Sequence, residues 1–394
     1  MNLEEYKKKI DICFVCAACF ARGPIVPHNW KELPPPEWQS PDRKCPSYEY
    51  YNFRSHTGMG RLILATSVFR ENFPVDEDLV EVINTCTNCG ICNEICPTFR
   101  PLDAINALRE EIVRRGLQPN ASSKMDANVA EYHHLFRGKT KPKALKNLPA
   151  EGEDVYFSGC DAAYRQPEVA NATIGVLKAG GVQVANLGNE EWCCGWPARW
   201  GGNIALSEEL AHHNVDAVKR AGAKRLIVSC AHCYQSWKSD YPKFMGDLPF
   251  EVVHVAQVFS GLIDEGRITF NQEINKKFTY HDPCFLGRHG RVFDEPRKVL
   301  RSLPGVQFNE MERCGRWSYC CGAGGKLSQA TYPDFANSIA GDRLREAMEV
   351  ADAVVTTCPV CAQHLRRNAQ KKHIDIETYD LSVLVAEAMG IPLG

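Results

Sequence analysis

The stretch Phe278-Thr279-Tyr280-His281-Asp282-Pro283-Cys284 decides how this chain is read, because its outline occurs twice. A short apolar run leads to a cysteine. Tyr319-Cys320-Cys321-Gly322 follows, and then Ala353-Val354-Val355-Thr356-Thr357-Cys358-Pro359-Val360-Cys361. The earlier copy reads Val155-Tyr156-Phe157-Ser158-Gly159-Cys160, then Trp192-Cys193-Cys194-Gly195, then Leu226-Ile227-Val228-Ser229-Cys230-Ala231-His232-Cys233. Each cysteine of the second copy lies about 125 residues after its counterpart, which marks an internal repeat. Helix-like stretches such as Glu208 to Ala221 and Asp342 to Ala351 alternate with the apolar runs, the pattern of α/β units. A cysteine just after a strand sits at the strand's carboxyl end, where open α/β sheets hold ligands.

Upstream, Cys86, Cys89, Cys92 and Cys96-Pro97 give C-x2-C-x2-C-x3-C-P, the bacterial ferredoxin spacing for cubane 4Fe–4S clusters. In that motif the fourth cysteine serves the other cluster. The other set is Cys13, Cys16 and Cys19, with Cys45-Pro46 delayed by a stretch holding Pro24, Pro27, Pro34, Pro35, Pro36 and Pro41. The crossed reading gives one cubane to Cys13, Cys16, Cys19 and Cys96, and the other to Cys86, Cys89, Cys92 and Cys45. A zinc ribbon also uses C-x2-C pairs, but a single zinc needs only four ligands. Helices are expected from Gly60-Arg61-Leu62-Ile63-Leu64-Ala65 onward and from Leu102 to Arg115, the latter stopping at Gly116. The proline-rich stretch favours irregular chain.

Composition limits the function classes. The 394 residues suggest two or three domains. Hydrophobic residues at 44% and charged residues at 24% are globular values, which excludes a disordered or fibrous protein. The formal charge of −2 gives no basic field for nucleic acid. The beginning of the sequence is charged, without the apolar core of a secretory signal, and no apolar run reaches the roughly 18 residues of a membrane helix. A cytoplasmic protein is expected, touching a membrane only through a partner. In a reducing compartment, 19 spaced cysteines imply metal or redox chemistry rather than disulfides. Residues 119–150 read as a basic linker with Lys139, Lys141, Lys143 and Lys146.

Each repeat offers a single cysteine, an adjacent pair before glycine, and a C-x2-C. Adjacent thiolates suit a polynuclear cluster in which one bridges irons, and Gly195 and Gly322 would let backbone approach inorganic sulfides. These residues resemble the cysteine-rich CCG domain, and the chain as a whole resembles the heterodisulfide reductase D-subunit family. His281-Asp282-Pro283-Cys284-Phe285-Leu286-Gly287-Arg288 and Cys320-Cys321-Gly322-Ala323-Gly324-Gly325 carry the likeness most closely. The resemblance implies an α+β and α/β protein: a mainly helical ferredoxin-like domain (1–118), a linker (119–150), and two repeated α/β CCG domains (151–270 and 271–394). It implies two cubane and two noncubane 4Fe–4S clusters. One noncubane cluster would take Cys160, Cys193, Cys194, Cys230 and Cys233; the other would take Cys284, Cys320, Cys321, Cys358 and Cys361. Zinc in one CCG repeat is the alternative, since thiolate sites accept both metals. Cys314 is left over, an ordinary packed thiol or an accessory ligand.

Cleaving a disulfide to two thiols needs a proton donor, and His281 and His232 are the catalytic candidates; His289 and His364 also flank the CCG cysteines. Arg165, Arg199, Arg288 and Lys326 would compensate cluster charge or bind a phosphate or sulfonate. Gly322-Ala323-Gly324-Gly325-Lys326 fails the phosphate-loop pattern because Leu327 replaces Ser/Thr, and no G-x-G-x-x-G unit occurs. Electrons are therefore expected from a partner, a flavoprotein or another iron–sulfur component of a larger complex. The expected function is an iron–sulfur oxidoreductase subunit that passes electrons through the cubanes to the noncubane centres for heterodisulfide-type reduction of a small thiol/disulfide substrate. The alternative is a non-catalytic electron-transfer subunit, since the Cys45-Pro46 and Gly60-Arg61-Leu62 region is similar to iron–sulfur subunits of glycolate- and lactate-oxidising complexes, and CCG proteins also occur in benzoyl-CoA reductase-like assemblies.

Overall fold

A computed structural model describes residues 45–96 and 100–393. The proline-rich stretch and Cys13, Cys16 and Cys19 lie outside the described residues.

The N-terminal part is helical. Thr57 caps the helix Gly58–Glu71 by accepting the Gly60 amide at 3.0 Å. Asp76 caps Glu77–Asn84 through the Leu79 amide at 2.9 Å. Proline opens the helix Pro101–Arg114, where its missing N–H costs nothing. Leu62, Ala65, Ile83, Ile105 and Leu108 interlock as the core of this bundle. Both expected helices are present, and Gly116 follows the second with φ +72°.

The repeat forms two parallel sheets. The first holds β1 (Asp154–Phe157), β2 (Arg225–Val228) and β3 (Glu251–His254), in the order β1-β2-β3. The second holds β4 (Lys276–His281), β5 (Val306–Phe308), β6 (Ala353–Thr356) and β7 (Glu377–Asp380), in the order β5-β4-β6-β7. β1-β2-β3 and β4-β6-β7 correspond. The extra edge strand β5 has its counterpart in a single bridge between Val155 and Ala185. Near-continuous burial along β1, β2 and β6 is what a parallel sheet covered on both faces requires.

The repeats share one core. Tyr156 and Ile227 of the first sheet and Phe278, Tyr280 and Val355 of the second belong to the same buried cluster. The helix Pro167–Ala179 packs on Leu381–Ala388 across the pseudo-symmetry. A Cβ on Gly175 would lie 2.7 Å from Ile391 Cγ2, so glycine permits that approach.

Residues 119–150 do more than connect. They form the helix Asn120–Tyr132 and a short turn of helix Lys143–Lys146. The former is tied to the first repeat by Asn203 donating to Asp126 at 2.9 Å and by the Cys193 amide donating to His133 O at 2.7 Å. Basic composition conceals this because most of its contacts are made by Asp126, His133 and Leu135, and of its lysines Lys141 joins them by donating to the Gly188 carbonyl.

Candidate metal centres

Strand ends place the cysteines. Cys160, Cys230, Cys284 and Cys358 follow β1, β2, β4 and β6, as expected from their positions in sequence. Cys233 lies in the helix Ala231–Gln235 and Cys361 in the helix Pro359–Lys371. The adjacent pairs precede Gly195 and Gly322, which adopt φ +69° and φ +91°. A Cβ on Gly195 would sit 3.1 Å from Ser207 Oγ, and one on Gly322 would run into the Ala336 carbonyl. Both glycines therefore serve a tight turn against a helix. Gly159 is the glycine that admits sulfur: a Cβ there would lie 2.7 Å from Cys233 Sγ.

The five first-repeat cysteines line one cleft with Leu135, His232 and Lys326. Hydrogen bonds with the Cys193 and Cys233 sulfurs, joined by the Trp196 amide, hold the Cys194 thiol well below its usual range. Cys193 is pushed up by its bonds with Cys160 and Cys194, because neighbouring thiols cannot all ionise. In the second repeat Cys320 and Cys358 are the low thiols, the former held down by Cys284, Cys321 and Thr87. The Gly322 amide donates to its sulfur at 3.3 Å, and Cys321 and Cys361 sulfurs lie 3.3 Å apart. Burial opposes ionisation of Cys358, but hydrogen bonds from Cys230 and Cys361 outweigh it.

The Cys230–Cys358 contact crosses from one repeat to the other. The ten cysteines thus form one run, buried except for its half-buried ends: 284, 320, 321, 361, 358, 230, 233, 194, 193, 160. His232 Nδ1 stands between Cys230 and Cys358, at 3.8 and 3.4 Å. His281 is 1% exposed, and one ring nitrogen lies within 4.8 Å of the Cys321 and Cys361 sulfurs. Its Nδ1 accepts from Arg343 Nε at 3.1 Å, which leaves Nε2 as a buried N–H without a partner. Burial, then the Arg343 charge, holds this ring far below the ordinary histidine range, so it stays neutral. His289 and His364 are occupied elsewhere, by the Asn88 and Ala336 carbonyls at 3.2 Å each.

Beyond Cys284 and Cys320 the run meets the N-terminal cysteines. Cys89 feels the charge of Cys320 and of Cys45, and Cys45 feels that of Cys86. Cys92 packs against Gly58, where a Cβ would lie 2.7 Å from Cys92 Cβ. The structure therefore brings Cys45, Cys86 and Cys89 together, with Cys92 set against the start of the helix Gly58–Glu71. Cys96 follows at the end of the helix Ile91–Ile95. Arg288 fastens this loop to the second repeat, donating to Cys89 O at 2.8 Å and to Ser318 O. Arg109 fastens it to the first, donating to Cys86 O at 2.7 Å and Trp200 O at 3.1 Å. Sequence reasoning missed Arg109 and Arg343, because nothing distinguishes a buried arginine from a solvated one in sequence. Of the cations it did single out, Lys326 pairs with Asp161 at 2.8 Å and Arg199 with Glu110 at 3.0 Å; Arg165 lies over the Phe136 ring. Cys314 is half-buried and apart from the run, its thiol pushed up to about 11 by burial and the charges of Glu310 and Asp282.

Such a donor set fits iron–sulfur clusters. Sixteen described cysteines are free thiols, thirteen of them gathered in these groups, and the orphaned His281 N–H implies an acceptor among the sulfurs. Comparison with known proteins agrees. The D subunit of dihydromethanophenazine:CoB–CoM heterodisulfide reductase from Methanosarcina mazei is 39% identical over 97% of this chain and 95% of that protein. This chain belongs to the heterodisulfide reductase D-subunit family. The cysteine-rich CCG domain family matches residues 155–237 and 278–366, the two repeats. More distant relatives are iron–sulfur oxidoreductases as well. The B subunit of the CoM/CoB fumarate reductase of Methanothermobacter marburgensis is 32% identical over 77% of this chain and 61% of its own length. The EtfAB:quinone oxidoreductase of Syntrophomonas wolfei is 30% identical over 78% of this chain and 47% of its own. A solved hypothetical protein from Helicobacter pylori shares the fold, with TM-score 0.56 at 11% identity over 84% of this chain and 68% of that one. A member of this family is an iron–sulfur oxidoreductase subunit. No helix among the described residues is long and apolar enough to cross a membrane.

Proposed function

We propose that this chain receives electrons from a partner protein and delivers them to a small disulfide, which takes up two electrons and two protons to become two thiols. The observation that carries this reading is the single run of ten thiols crossing both repeats, eight of them buried, with Cys45, Cys86 and Cys89 at its second-repeat end. The ligand sets follow the sequence reading: Cys13, Cys16, Cys19 and Cys96 for one cubane, Cys86, Cys89, Cys92 and Cys45 for the other, and five cysteines of each repeat for a noncubane cluster. Bound clusters supply one-electron carriers. The chain's own part is to hold them at strand ends, to exclude water, and to offer His232 and His281 as the polar groups among the thiols. His232 lies at the meeting of the repeats and is the better candidate proton donor. The domain limits 1–118, 119–150, 151–270 and 271–394, the ferredoxin-like character of the first and a cytoplasmic location belong to the same proposal.

Metal and sulfide analysis of anaerobically purified protein, with EPR during stepwise oxidation, tests the centres. About sixteen irons are expected, from four four-iron clusters. About eight irons with zinc would sink the disulfide chemistry. Disulfide turnover with an artificial donor then tests the reaction. The carrier reading, with chemistry on a partner flavin, draws on the identity to the quinone oxidoreductase. A full set of clusters whose EPR signals ignore every disulfide tested would favour it.

A further inference from the structure

The strands β1 and β4 end on different side chains at the same register. Phe157 closes β1 opposite Val228, and His281 closes β4 opposite Thr356, each three residues before the first cysteine of its repeat. Phe157 is fully buried, its ring edge-on to Trp237 with centres 5.3 Å apart, in the apolar cluster that takes in Cys194, Cys230 and Cys233. His281 stands with Cys321 and Cys361. One repeat therefore offers its thiols a hydrocarbon ring, and the other a polar one.

Arg343 decides what the polar ring can do. A guanidinium only donates, so His281 Nδ1, bonded to Arg343 Nε at 3.1 Å, presents its lone pair there. The hydrogen of the neutral ring is then on Nε2. Neither nitrogen is left to bind a metal, because one lone pair is used and the other nitrogen carries hydrogen. His281, Cys321 and Cys361 have the mutual distances of a metal triad, yet the ring is a donor and not a ligand. Arg343 is fully buried and also donates to Arg313 O and to a Glu346 oxygen at 2.9 Å each, which holds it in place. Among the described residues Nε2–H meets no oxygen or nitrogen acceptor, so sulfur is what its surroundings offer. His232 makes no such difference between the repeats, since it stands against Cys230 and Cys358 alike. Nor does Lys326 redress it, because Asp161 pairs with that ammonium at 2.8 Å.

We propose that His281 donates Nε2–H to a sulfur of the second-repeat centre, and that this bond makes that centre the more easily reduced of the two. The inference rests on the proposed function, which puts an iron–sulfur cluster on each repeat, and deepens it by saying where the first electron rests. A hydrogen bond to sulfur favours the state with more negative charge. The electron comes from the partner protein, no bond breaks, and His281 keeps its proton. The centre beside the N-terminal thiols fills first, and the centre on the Phe157 side fills second.

EPR-monitored redox titration of the full, anaerobically purified chain tests it. His281→Phe copies the first repeat. At a fixed applied potential, its ratio of reduced to oxidised second-repeat centre should fall about tenfold, the size of one hydrogen bond to a charged group. The first-repeat centre should not move. His281→Gln keeps an acceptor for Arg343 and an N–H for sulfur, and should stay within about threefold of the wild type. HYSCORE spectra of protein labelled on its histidine nitrogens read the contact without depending on the phenylalanine variant. A weak nitrogen coupling at the second-repeat centre is expected in the wild type, and it should vanish in His281→Gln. A second-repeat centre that His281→Phe leaves unmoved, equal shifts at both centres, or the strong coupling of a ligating nitrogen would overturn the proposal. Iron and sulfide analysis of the same samples separates the failures. Wild-type protein without a second-repeat cluster overturns the proposed function and this inference with it. A full complement of iron with an unmoved centre overturns this inference alone.

Discussion

Asp380 is 2% exposed, and one of its oxygens caps the Ser382 amide at 2.9 Å while the other has no partner. Burial pushes its carboxyl up to about 7, well above an unfolded aspartate near 4. The folded state therefore holds a proton that the unfolded chain has already released, and stability falls as pH rises from about 4 to about 7. Asp380→Asn keeps a good cap and removes the ionisation. Its melting temperature should exceed that of the wild type by more at pH 8 than at pH 5; an equal shift at both would count against the buried carboxyl. The same register position in the first repeat holds His254, which caps through Nδ1 and the Ala256 amide at 3.2 Å. Gly322 makes the second prediction at this scale. Alanine there meets both an unfavourable φ and the Ala336 carbonyl. Gly322→Ala should cost about 3 kcal/mol in urea unfolding, and iron content should drop in step if the Cys320–Cys321 turn is displaced.

Among the elements, the N-terminal helices are pinned by one arginine. Arg61 is 1% exposed and donates to Val82 O at 2.7 Å, Ser47 Oγ at 2.7 Å, Thr85 Oγ1 at 3.2 Å and the His56 carbonyl. Four contacts from one planar fork cannot be copied by an ammonium. Arg61→Lys should therefore destabilise the chain by about 3 kcal/mol in denaturant titration, as broken buried charge networks do. A change under about 0.5 kcal/mol, the size of an ordinary surface substitution, would show the network to be dispensable. The neighbouring loop depends on two left-handed residues, Asn88 at φ +59° and Gly90 at φ +75°. A Cβ on Gly90 would lie 2.6 Å from His289 Nε2, so glycine lets the second repeat dock there. The helix Asn120–Tyr132 does comparable work on the other side, its Val129 sharing a buried cluster with Cys193 and Leu210 against which Leu135 packs.

Over the whole molecule, Arg288 links the Cys45–Cys92 group to the second repeat. Its charge lowers both the Cys89 and the Cys284 thiols, against the larger opposing effects of burial and thiol contacts. Arg288→Gln removes a positive charge from between the two thiol groups that the proposed function makes electron-accepting centres. Both should become harder to reduce, each potential falling by on the order of 90 mV for about 2 kcal/mol of Coulomb energy, that of a unit charge roughly 8 Å away at an effective dielectric near 20. The first-repeat centre, farther along the thiol run, should barely move. EPR-monitored redox titration reads all three, and equal shifts at every centre would point to a general loss of structure instead.

Much of this was legible in the residues themselves. Parallel strands need unbroken apolar runs, so Val155-Tyr156-Phe157, Leu226-Ile227-Val228 and Ala353-Val354-Val355 announced the sheets, and cysteines following them announced where the thiols would lie. Local pattern fixes such features because strand burial and helix caps are set by near neighbours in the chain. Tertiary structure alone decided that Cys230 meets Cys358, so that two sets of five became one run. It alone put Arg288 on Cys89, His281 beside Cys361, and Leu135 beside the first-repeat thiols. Those contacts join residues some 60 to 200 positions apart, and their partners are chosen by packing of whole units, for which no local spacing carries a signal.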